Sequence, residues 1–300
     1  MHKKRVAVGL LVAAAFAAIM AFLTGPIQFV LLLLFAIACQ AELYALAARG
    51  GYRVYNKLGC GLGVLWFFLV YLDGGASPEC SKTLDLFDVI VPLAIGFAVL
   101  MRALFDVKAK KAFETTSITL FGIFYGPFLL SYFLRLAQYD ATVPWATTRA
   151  GVFLTFFLAL IIKLSDTGAF AAGTLCGRHY LFPRISPKKT WEGLAGGLVA
   201  GIASGLLTAY LAQRFQWGPE GIFYSAAGTK PLLTLPVVAV LSAVFVIVGL
   251  FGDLIESMFK RSVQTKDSSG TLPGLGGLLD IADSIVFAPG LFYFLLLAMR

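Results

Sequence analysis

The chain has 300 residues, of which 59% are hydrophobic and 13% are charged. Soluble domains carry charges on about a quarter of their residues, so this composition excludes a soluble globular protein and indicates an integral membrane protein. The net charge of +8 could suggest a nucleic acid partner. With so little polar surface, however, the basic residues are better explained by membrane topology and anion binding, and no nucleic acid partner is expected.

Apolar stretches recur along the chain, and they are long enough to form helices that cross a hydrocarbon core of about 30 Å, which takes roughly 20 residues. They predict an all-α polytopic membrane protein with about nine transmembrane helices. The predicted spans are residues 6–23, 27–48, 58–72, 87–105, 116–136, 151–172, 193–213, 233–252 and 284–299. The first span follows a basic segment, as in a signal peptide, but its length and its direct passage into the second span favour an uncleaved helix.

Lysine and arginine are abundant in every second segment between the predicted spans, starting with the N-terminus. Because cytoplasmic loops carry an excess of these residues, the pattern predicts a cytoplasmic N-terminus and a C-terminus outside. Two polar loops, residues 173–192 and 253–283, then lie on the same cytoplasmic side. Two loops on one face can build one site.

The polar motifs are confined to the second half of the chain. Residues 1–140 carry few charges within the predicted spans, which indicates a multi-span scaffold or dimerisation region. Residues 141–300 contain all of the motifs described below and are predicted to form a membrane catalytic region with a polar site that faces the cytoplasm.

The first motif is the sequence from Lys163 to Phe170 at the end of the sixth span, which contains Asp166. A carboxylate within an apolar helix is costly unless it meets a cation, a metal or water, so Asp166 is a candidate site residue. Small residues such as Gly168 that follow it would let another helix or a ligand approach the backbone closely. The alternative is that Asp166 forms an ion pair with Lys163, three residues earlier on the same helical face.

The second motif runs from Arg184 to Gly193. Ser186 followed by Pro187 is a helix start signal, with Ser at the N-cap and Pro at the first helical position. The free backbone amides of such a helix start, together with Lys188, Lys189 and Thr190, would form a cradle for phosphate. The alternative is that the two lysines only follow the excess of basic residues on the cytoplasmic side.

The third motif is the densely charged stretch from Gly252 to Ser284. If the eighth span continues as a helix past Asp253, then Ser257, Lys260 and Arg261 follow at positions i+4, i+7 and i+8. An acid, a hydroxyl and two cations then line one helical face. The alternative is a solvated charged loop with ion pairs across it.

Two further acids stand at the end of this stretch. Asp280 and Asp283 are three residues apart and share a face if the ninth helix begins near Leu278. The glycine-rich segment before them can fold that helix back beside the eighth, which would bring carboxylates of both helices together. Oxygen ligands without cysteine or histidine suit a hard cation such as Mg²⁺, which is completed by water and substrate phosphates.

These three motifs resemble those of one enzyme family. The stretch that contains Ser257-Met-Phe-Lys-Arg, Lys266-Asp267, Pro273-Gly274, Gly276-Gly277, Asp280 and Asp283 closely resembles the signature of the phosphatidate cytidylyltransferases, also called CDP-diacylglycerol synthases. The preceding block Gly252-Asp253-Leu-Ile-Glu256 and the earlier blocks around Asp166 and from Ile185 to Gly193 look like the other typical blocks of that family. Together the motifs cover residues 163–284, whereas the first half matches only as a hydrophobic multi-span region.

The resemblance and the physical chemistry together assign roles to the charged residues. Catalytic roles are expected for Asp253, Asp280, Lys266 and Asp267. Metal binding is expected for Asp253, Asp280 and Asp283. Substrate binding is expected for Asp166, Ser186, Lys188, Lys189, Thr190, Glu192, Ser257, Lys260 and Arg261. The expected cofactor is Mg²⁺, with room for a second cation.

The chain departs from the family pattern at two positions. Leu275 stands where members of the family usually have a histidine, and Ile281 stands where they usually have an arginine. Both changes replace a polar side chain by an apolar one and leave the expected metal carboxylates in place. They raise the alternative of a changed substrate or a weakened enzyme.

The resemblance implies Mg²⁺-dependent transfer of the cytidylyl group of CTP to phosphatidic acid, which gives CDP-diacylglycerol and pyrophosphate. It also implies a homodimer in a bacterial inner membrane, with the active site on the cytoplasmic face. Three alternatives remain. One is a CTP-dependent transferase or kinase that acts on another lipid, and another is an anion transporter with charges near the middle of the membrane. The third, prompted by Leu275 and Ile281, is a catalytically inactive scaffold.

Overall fold

The computed structural model describes residues 25–73, 86–106, 111–139, 150–216, 220–224, 231–265, 268–269 and 277–299. The predicted first span, residues 6–23, lies outside the described residues. The elements up to residue 139 are α1 (Gly25–Arg49), α2 (Asn56–Asp73), α3 (Leu86–Leu104), α4 (Ala112–Ile123), a π-helical segment (Phe124–Phe128) and α5 (Leu129–Ala137). The elements after it are α6 (Ala150–Cys176), β1 (Tyr180–Phe182), β2 (Ser186–Thr190), α7 (Trp191–Phe215), α8 (Leu235–Ser262), α9 (Leu279–Ala282) and α10 (Ala288–Ala298).

The fold is mostly helical, and six helical segments among the described residues are long and apolar enough to cross a membrane. They are Gly25–Arg49, Phe87–Leu104, Ala112–Ala137, Ala150–Cys176, Trp191–Phe215 and Leu235–Ser262. The prediction of a mostly helical fold is therefore confirmed, and the six apolar helices support an integral membrane protein. The total of nine spans and the sidedness of the termini stay predictions.

The contacts divide the chain into two compact units. Among the described residues, the first unit comprises those between 136 and 258 and those from 283 to 299. The second comprises those between 25 and 135 and those from 259 to 282. The predicted division into a scaffold of residues 1–140 and a catalytic region of residues 141–300 stays a prediction.

In the first unit, α6 and α7 pack with their backbones in close approach. A Cβ atom at Gly168 would collide with Ala200, and one at Gly196 would collide with Ala172. The prediction that the small residues after Asp166 admit a neighbouring helix is therefore confirmed. Close backbone approach through small residues is the usual way in which helices pack in lipid, where no hydrophobic force draws them together.

In the second unit, Tyr44 of α1 lies between two glycines. The Tyr44 ring fills the positions that Cβ atoms of Gly59 and Gly122 would occupy, and its hydroxyl donates to the Thr119 carbonyl at 2.7 Å. The π-helical segment contains Pro127, which has no backbone N–H to donate. A local widening of the helix accommodates such a proline without ending the helix.

Candidate active site

The site in the first unit begins with two charged residues of α6. Lys163 and Asp166 form an ion pair, with 3.6 Å between Nζ and Oδ2. The Lys163 ammonium also donates to Ser284 Oγ at 3.0 Å, and the Ser284 hydroxyl hydrogen-bonds to Asp166. The pairing three residues apart, which the sequence offered as an alternative role for Asp166, is therefore present. It belongs to a larger polar group rather than to an isolated helix surface.

Strand β2 brings a second lysine to α8. Lys189 Nζ donates to Asp253 Oδ2 at 3.0 Å and to the Leu250 carbonyl at 3.4 Å. The two charged side chains are only 23% and 26% exposed. Because sheltered charges are screened less than exposed ones, this ion pair is a strong local electrostatic feature of the site.

Asp283 lies close to this ion pair because α8 has glycines, Gly249 and Gly252, where it contacts the backbone that precedes α10. A Cβ atom at Gly252 would collide with the Asp283 carbonyl oxygen, so only glycine permits this approach. The Asp283 side chain contacts that of Asp253. Burial, followed by the neighbouring carboxylates of Asp253 and Glu256, raises the pKa of Asp283 well above its ordinary value.

The described part of the first unit thus holds a cluster of six charged groups, which we name the acid–lysine cluster. Its members are Lys163, Asp166, Lys189, Asp253, Glu256 and Asp283. Among the described residues, the cluster brings four carboxyl groups together with two ammonium groups. Carboxylates in contact repel each other, and a bound divalent cation would remove that repulsion.

The donor set of the cluster fits Mg²⁺ rather than a metal held by protein alone. Among the described residues, no group of three or more His, Cys, Asp or Glu side chains is arranged to hold a metal ion. Mg²⁺ commonly uses one or two carboxylates and completes its shell with water and substrate phosphates. The contacting carboxylates of Asp253 and Asp283 supply such a pair.

The second predicted motif folds differently from the expectation. Ser186 does not cap a helix, because residues Ser186–Thr190 form β2, which pairs antiparallel with β1. The N-cap of the following helix is Thr190, whose side chain accepts a hydrogen bond from the Gly193 amide at 3.1 Å. The predicted phosphate cradle at a helix start after Ser186 is therefore wrong. The motif instead forms a hairpin that carries Lys189 to Asp253.

The remaining predicted residues of this motif have distinct surroundings. Lys188 is exposed on β2. Glu192 accepts hydrogen bonds from the Arg178 and His179 amides at 3.1 Å and 3.3 Å, and it pairs with the His179 ring at 2.6 Å. Glu192 therefore holds the base of the hairpin. These contacts occupy the Glu192 carboxylate, so they favour a structural role for Glu192 over direct phosphate binding.

Helix α8 runs from Leu235 to Ser262, which confirms that the eighth span continues as a helix past Asp253. Ser257 is partly buried on this helix and Arg261 is exposed. Lys266, Asp267 and Leu275 lie outside the described residues.

In the second unit, Asp280 is held by protein donors on both of its oxygens. Oδ1 accepts from Lys260 Nζ at 2.7 Å. Oδ2 accepts from the Ser268 hydroxyl at 2.9 Å, the Ser268 amide at 3.3 Å and the Gly277 amide at 2.6 Å. We name this group the Asp280 cradle. Lys260, which was expected to bind substrate phosphate, forms an ion pair with Asp280 in the structure, and ion pairing within this stretch was the alternative that the sequence offered.

The helix predicted from Leu278 is not continuous. Helix α9 ends at Ala282 after four residues, and the next helix begins at Ala288. Asp280 lies within α9 and Asp283 lies beyond its end, so the prediction that both project from one face of a long ninth helix is wrong. The bend after Ala282 is what brings the backbone at Asp283 against Gly252 of α8.

Several residues of the two groups were not predicted from the sequence. Lys163 was considered only as an ion-pair partner, and Ser284 only as the end of the charged stretch. No role was predicted for Ser268, or for Glu42, the one carboxylate of α1, which accepts hydrogen bonds from Ser269 and Leu279 beside the Asp280 cradle. A buried acid in an apolar helix is a signal for function, and that signal could have identified Glu42.

Fold and site together define a polytopic membrane protein with an acidic, lysine-bearing centre suited to phosphate chemistry. Residues 3–299 match the model of the cytidylyltransferase family, and the chain belongs to that family. It is therefore an enzyme of the nucleotidyltransferase class.

Two relatives illustrate the similarity over most of the chain. The phosphatidate cytidylyltransferase of Bacillus subtilis is 31% identical over 299 residues, which cover 98% of this chain and 97% of that protein. The phosphatidate cytidylyltransferase of Synechocystis sp. is 34% identical over 271 residues, which cover 79% of this chain and 86% of that protein.

Proposed function

We propose that this protein transfers the cytidylyl group of CTP to phosphatidic acid, giving CDP-diacylglycerol and pyrophosphate. The family membership supports cytidylyl transfer. The names of the two relatives, which match most of the chain, support phosphatidate as the acceptor. The apolar helices are in keeping with a lipid substrate, because they hold the enzyme in the bilayer where that substrate resides.

The observation that carries the proposal is the acid–lysine cluster with its contact between Asp253 and Asp283. In the reaction, a phosphate oxygen of phosphatidic acid forms a bond to the α-phosphorus of CTP. The bond from that phosphorus to the bridging oxygen of the β-phosphate breaks, and pyrophosphate leaves with the electron pair. The nucleophile is already an anionic oxygen, so the reaction needs no dedicated general base.

The chief obstacle to this reaction is the meeting of two anions. Catalysis of phosphoryl-type transfer consists mainly of positioning and charge neutralisation. Lys189 and Lys163 would attract the phosphates. Asp253 and Asp283 would hold Mg²⁺, which when bound supplies the positive charge that neutralises the phosphate oxygens.

Other parts of the proposal rest on the resemblance. It assigns Asp280 to the metal as well, and Ser257, Lys260 and Arg261 to the substrate phosphates. Lys266 and Asp267 keep their expected catalytic roles as predictions. The cytoplasmic orientation of the active site and the homodimer are likewise part of the proposal.

The decisive experiment uses the purified full chain with labelled CTP, phosphatidic acid and Mg²⁺. We expect labelled CDP-diacylglycerol, its loss on chelation of Mg²⁺, and at least about a 100-fold lower rate in Asp253→Asn, because both charge neutralisation and positioning are impaired. Glu114→Gln is the matched control, since Glu114 is an exposed acid paired only with Lys111 among the partners described. Its rate should equal that of the wild type.

Three outcomes would contradict parts of the proposal separately. If no product formed from any lipid phosphate, cytidylyl transfer itself would be refuted. If product formed from an isoprenoid phosphate but not from phosphatidic acid, the proposed acceptor would be wrong and the transfer reaction would stand. Full activity of Asp280→Ala would remove Asp280 from the metal site and leave the acid–lysine cluster as the centre.

A further inference from the structure

Glu42 lies in α1, and it contacts the segment that carries Asp280. The side chain is 8% exposed, and it is the one acidic residue of α1. Its Oε1 accepts a hydrogen bond from the Ser269 hydroxyl at 2.7 Å. Its Oε2 accepts one from the Leu279 amide at 2.9 Å and lies 3.4 Å from the Ser268 hydroxyl. Ser268 is 226 residues away from Glu42 in the sequence.

These contacts are with the backbone and side chains that build the Asp280 cradle. The Ser268 hydroxyl lies nearer to Asp280 Oδ2, at 2.9 Å, and so stands between the two carboxylates. The Leu279 amide immediately precedes Asp280. Glu42 therefore fixes the segment on both sides of the Asp280 carboxylate, at Ser268 and Ser269 and at the first residue of α9.

Two further contacts tighten the same arrangement. Arg49, also of α1, donates from Nη1 to the Ser268 carbonyl at 2.9 Å. Gly277 lies so close to Glu42 that a Cβ atom would collide with the Glu42 carboxylate and with the hydroxyls of Ser268 and Ser269. Packing therefore requires glycine at position 277, because any side chain there would prevent Glu42 from lying this close to the serines.

A buried carboxylate in an apolar helix is costly unless its hydrogen bonds are made. Here the bonds come from a segment that is remote in sequence and that carries the acid of the family signature. We infer that Glu42 is a positioning residue: it holds the Ser268–Ser269 and Leu279 backbone so that Asp280 is kept in one orientation for cytidylyl transfer. The inference rests on the proposed function.

The test combines activity with a local measurement of structure. Glu42→Ala leaves the buried Leu279 amide without its acceptor, so we expect faster hydrogen exchange in the peptide that covers residues 277–283. We also expect kcat to fall about 10- to 100-fold, as for other residues that orient an active-site group. The KM for CTP should change by less than about two-fold, because the nucleotide contacts themselves are not removed.

Glu42→Gln separates hydrogen bonding from charge. The amide oxygen can accept from the Leu279 amide, and the amide nitrogen can donate to a serine hydroxyl. We therefore expect Glu42→Gln to recover most of kcat and of the exchange protection. Equal losses in Gln and Ala variants would show that the charge matters instead, and would overturn positioning by hydrogen bonds.

Gln40→Ala is the control for a general loss of stability. Gln40 is fully buried on the same helix, but it donates to Tyr44 and to the Gly59 carbonyl. Its variant should lower the unfolding temperature while kcat of the folded protein and exchange at residues 277–283 stay at wild-type values. An equal fall of kcat in Gln40→Ala, or an unchanged kcat in Glu42→Ala, would overturn the inference. An inactive wild type would instead refute the proposed function, and the exchange measurement would still decide whether Glu42 anchors the segment.

Discussion

The carboxylates of the acid–lysine cluster and the carboxylate of the Asp280 cradle have opposite kinds of surroundings. In the acid–lysine cluster, the side chains of Asp253 and Asp283 contact each other, and Lys189 and Lys163 pair with Asp253 and Asp166. In the Asp280 cradle, a single carboxylate accepts hydrogen bonds from a lysine, a hydroxyl and two backbone amides. A bound cation would relieve the repulsion in the first arrangement, whereas donors of the protein itself surround the carboxylate in the second.

This difference separates two tasks that a charged active site has to perform. A cluster of carboxylates in contact is suited to a divalent cation, which would in turn attract anionic substrates. A carboxylate surrounded by fixed donors is rigid, because moving it would break several hydrogen bonds at once. The comparison predicts that changes in the acid–lysine cluster alter chemistry directly, whereas changes around the cradle act through position.

The largest effect that tests this comparison without altering any charge is expected from Gly252→Ala. The added methyl group would collide with the Asp283 carbonyl oxygen and push Asp283 away from Asp253. Displacements of about 1 Å in an active site can lower a rate about 100-fold, and we expect a fall of 10- to 100-fold in cytidylyl transfer per folded molecule.

Gly96→Ala in α3 is the matched control for Gly252→Ala. A Cβ atom at Gly96 meets nothing within 4 Å, and alanine in place of a helical glycine stabilises by about 0.5–1 kcal/mol. Its activity should equal that of the wild type. If Gly252→Ala also kept full activity, the contact between Asp253 and Asp283 would not be needed for the reaction.

The sequence predicted the helical architecture well, because long apolar runs have few alternatives in a membrane. The predicted spans 27–48 and 151–172, for example, correspond to α1 and α6 within a few residues. The resemblance to the family also points to Asp253, Asp280 and Asp283, whose roles stay predictions. Sequence motifs and helical periodicity predict which residues are candidate site residues and whether they lie on one helix.

Contacts between remote segments could not be predicted in the same way. The Ser186-Pro187 pair looked like a helix start, yet the following residues pair with Tyr180–Phe182 in a hairpin, and strand pairing depends on a partner outside the local window. Glu42 lies in an apolar helix without a motif around it, and its partners are Ser268, Ser269 and Leu279. Only the fold shows that these residues meet.

A smaller effect is expected when one cation of the acid–lysine cluster is removed. Lys189→Met keeps most of the side-chain volume but leaves Asp253 without its partner at 3.0 Å. We expect the rate to fall about 10-fold, with much of the change in the KM for CTP, because a phosphate-binding charge is lost and the unmatched acid repels the substrate.

Lys188→Met is the neighbouring control, since Lys188 is exposed on the same strand. We expect at most about a two- to three-fold rise in KM, because water and salt screen an exposed charge. If the two variants behaved alike, the ion pair with Asp253 would not distinguish Lys189, and the strand would act only as a general source of positive charge.

The smallest effect is expected from Thr190, the residue that fixes the start of α7 directly after Lys189. Thr190→Val keeps the shape of the side chain but removes the oxygen that accepts from the Gly193 amide. Loss of an N-cap destabilises by about 1 kcal/mol, so thermal unfolding should begin at a slightly lower temperature and the rate should fall only a few-fold as the Lys189 position loosens. Thr190→Ser keeps the oxygen and loses the methyl group, which packs near Gly177. Stability close to wild type in the Ser variant would assign the effect to the cap, whereas a loss equal to that of the Val variant would assign it to the methyl contact and leave the cap without a measurable role in holding Lys189.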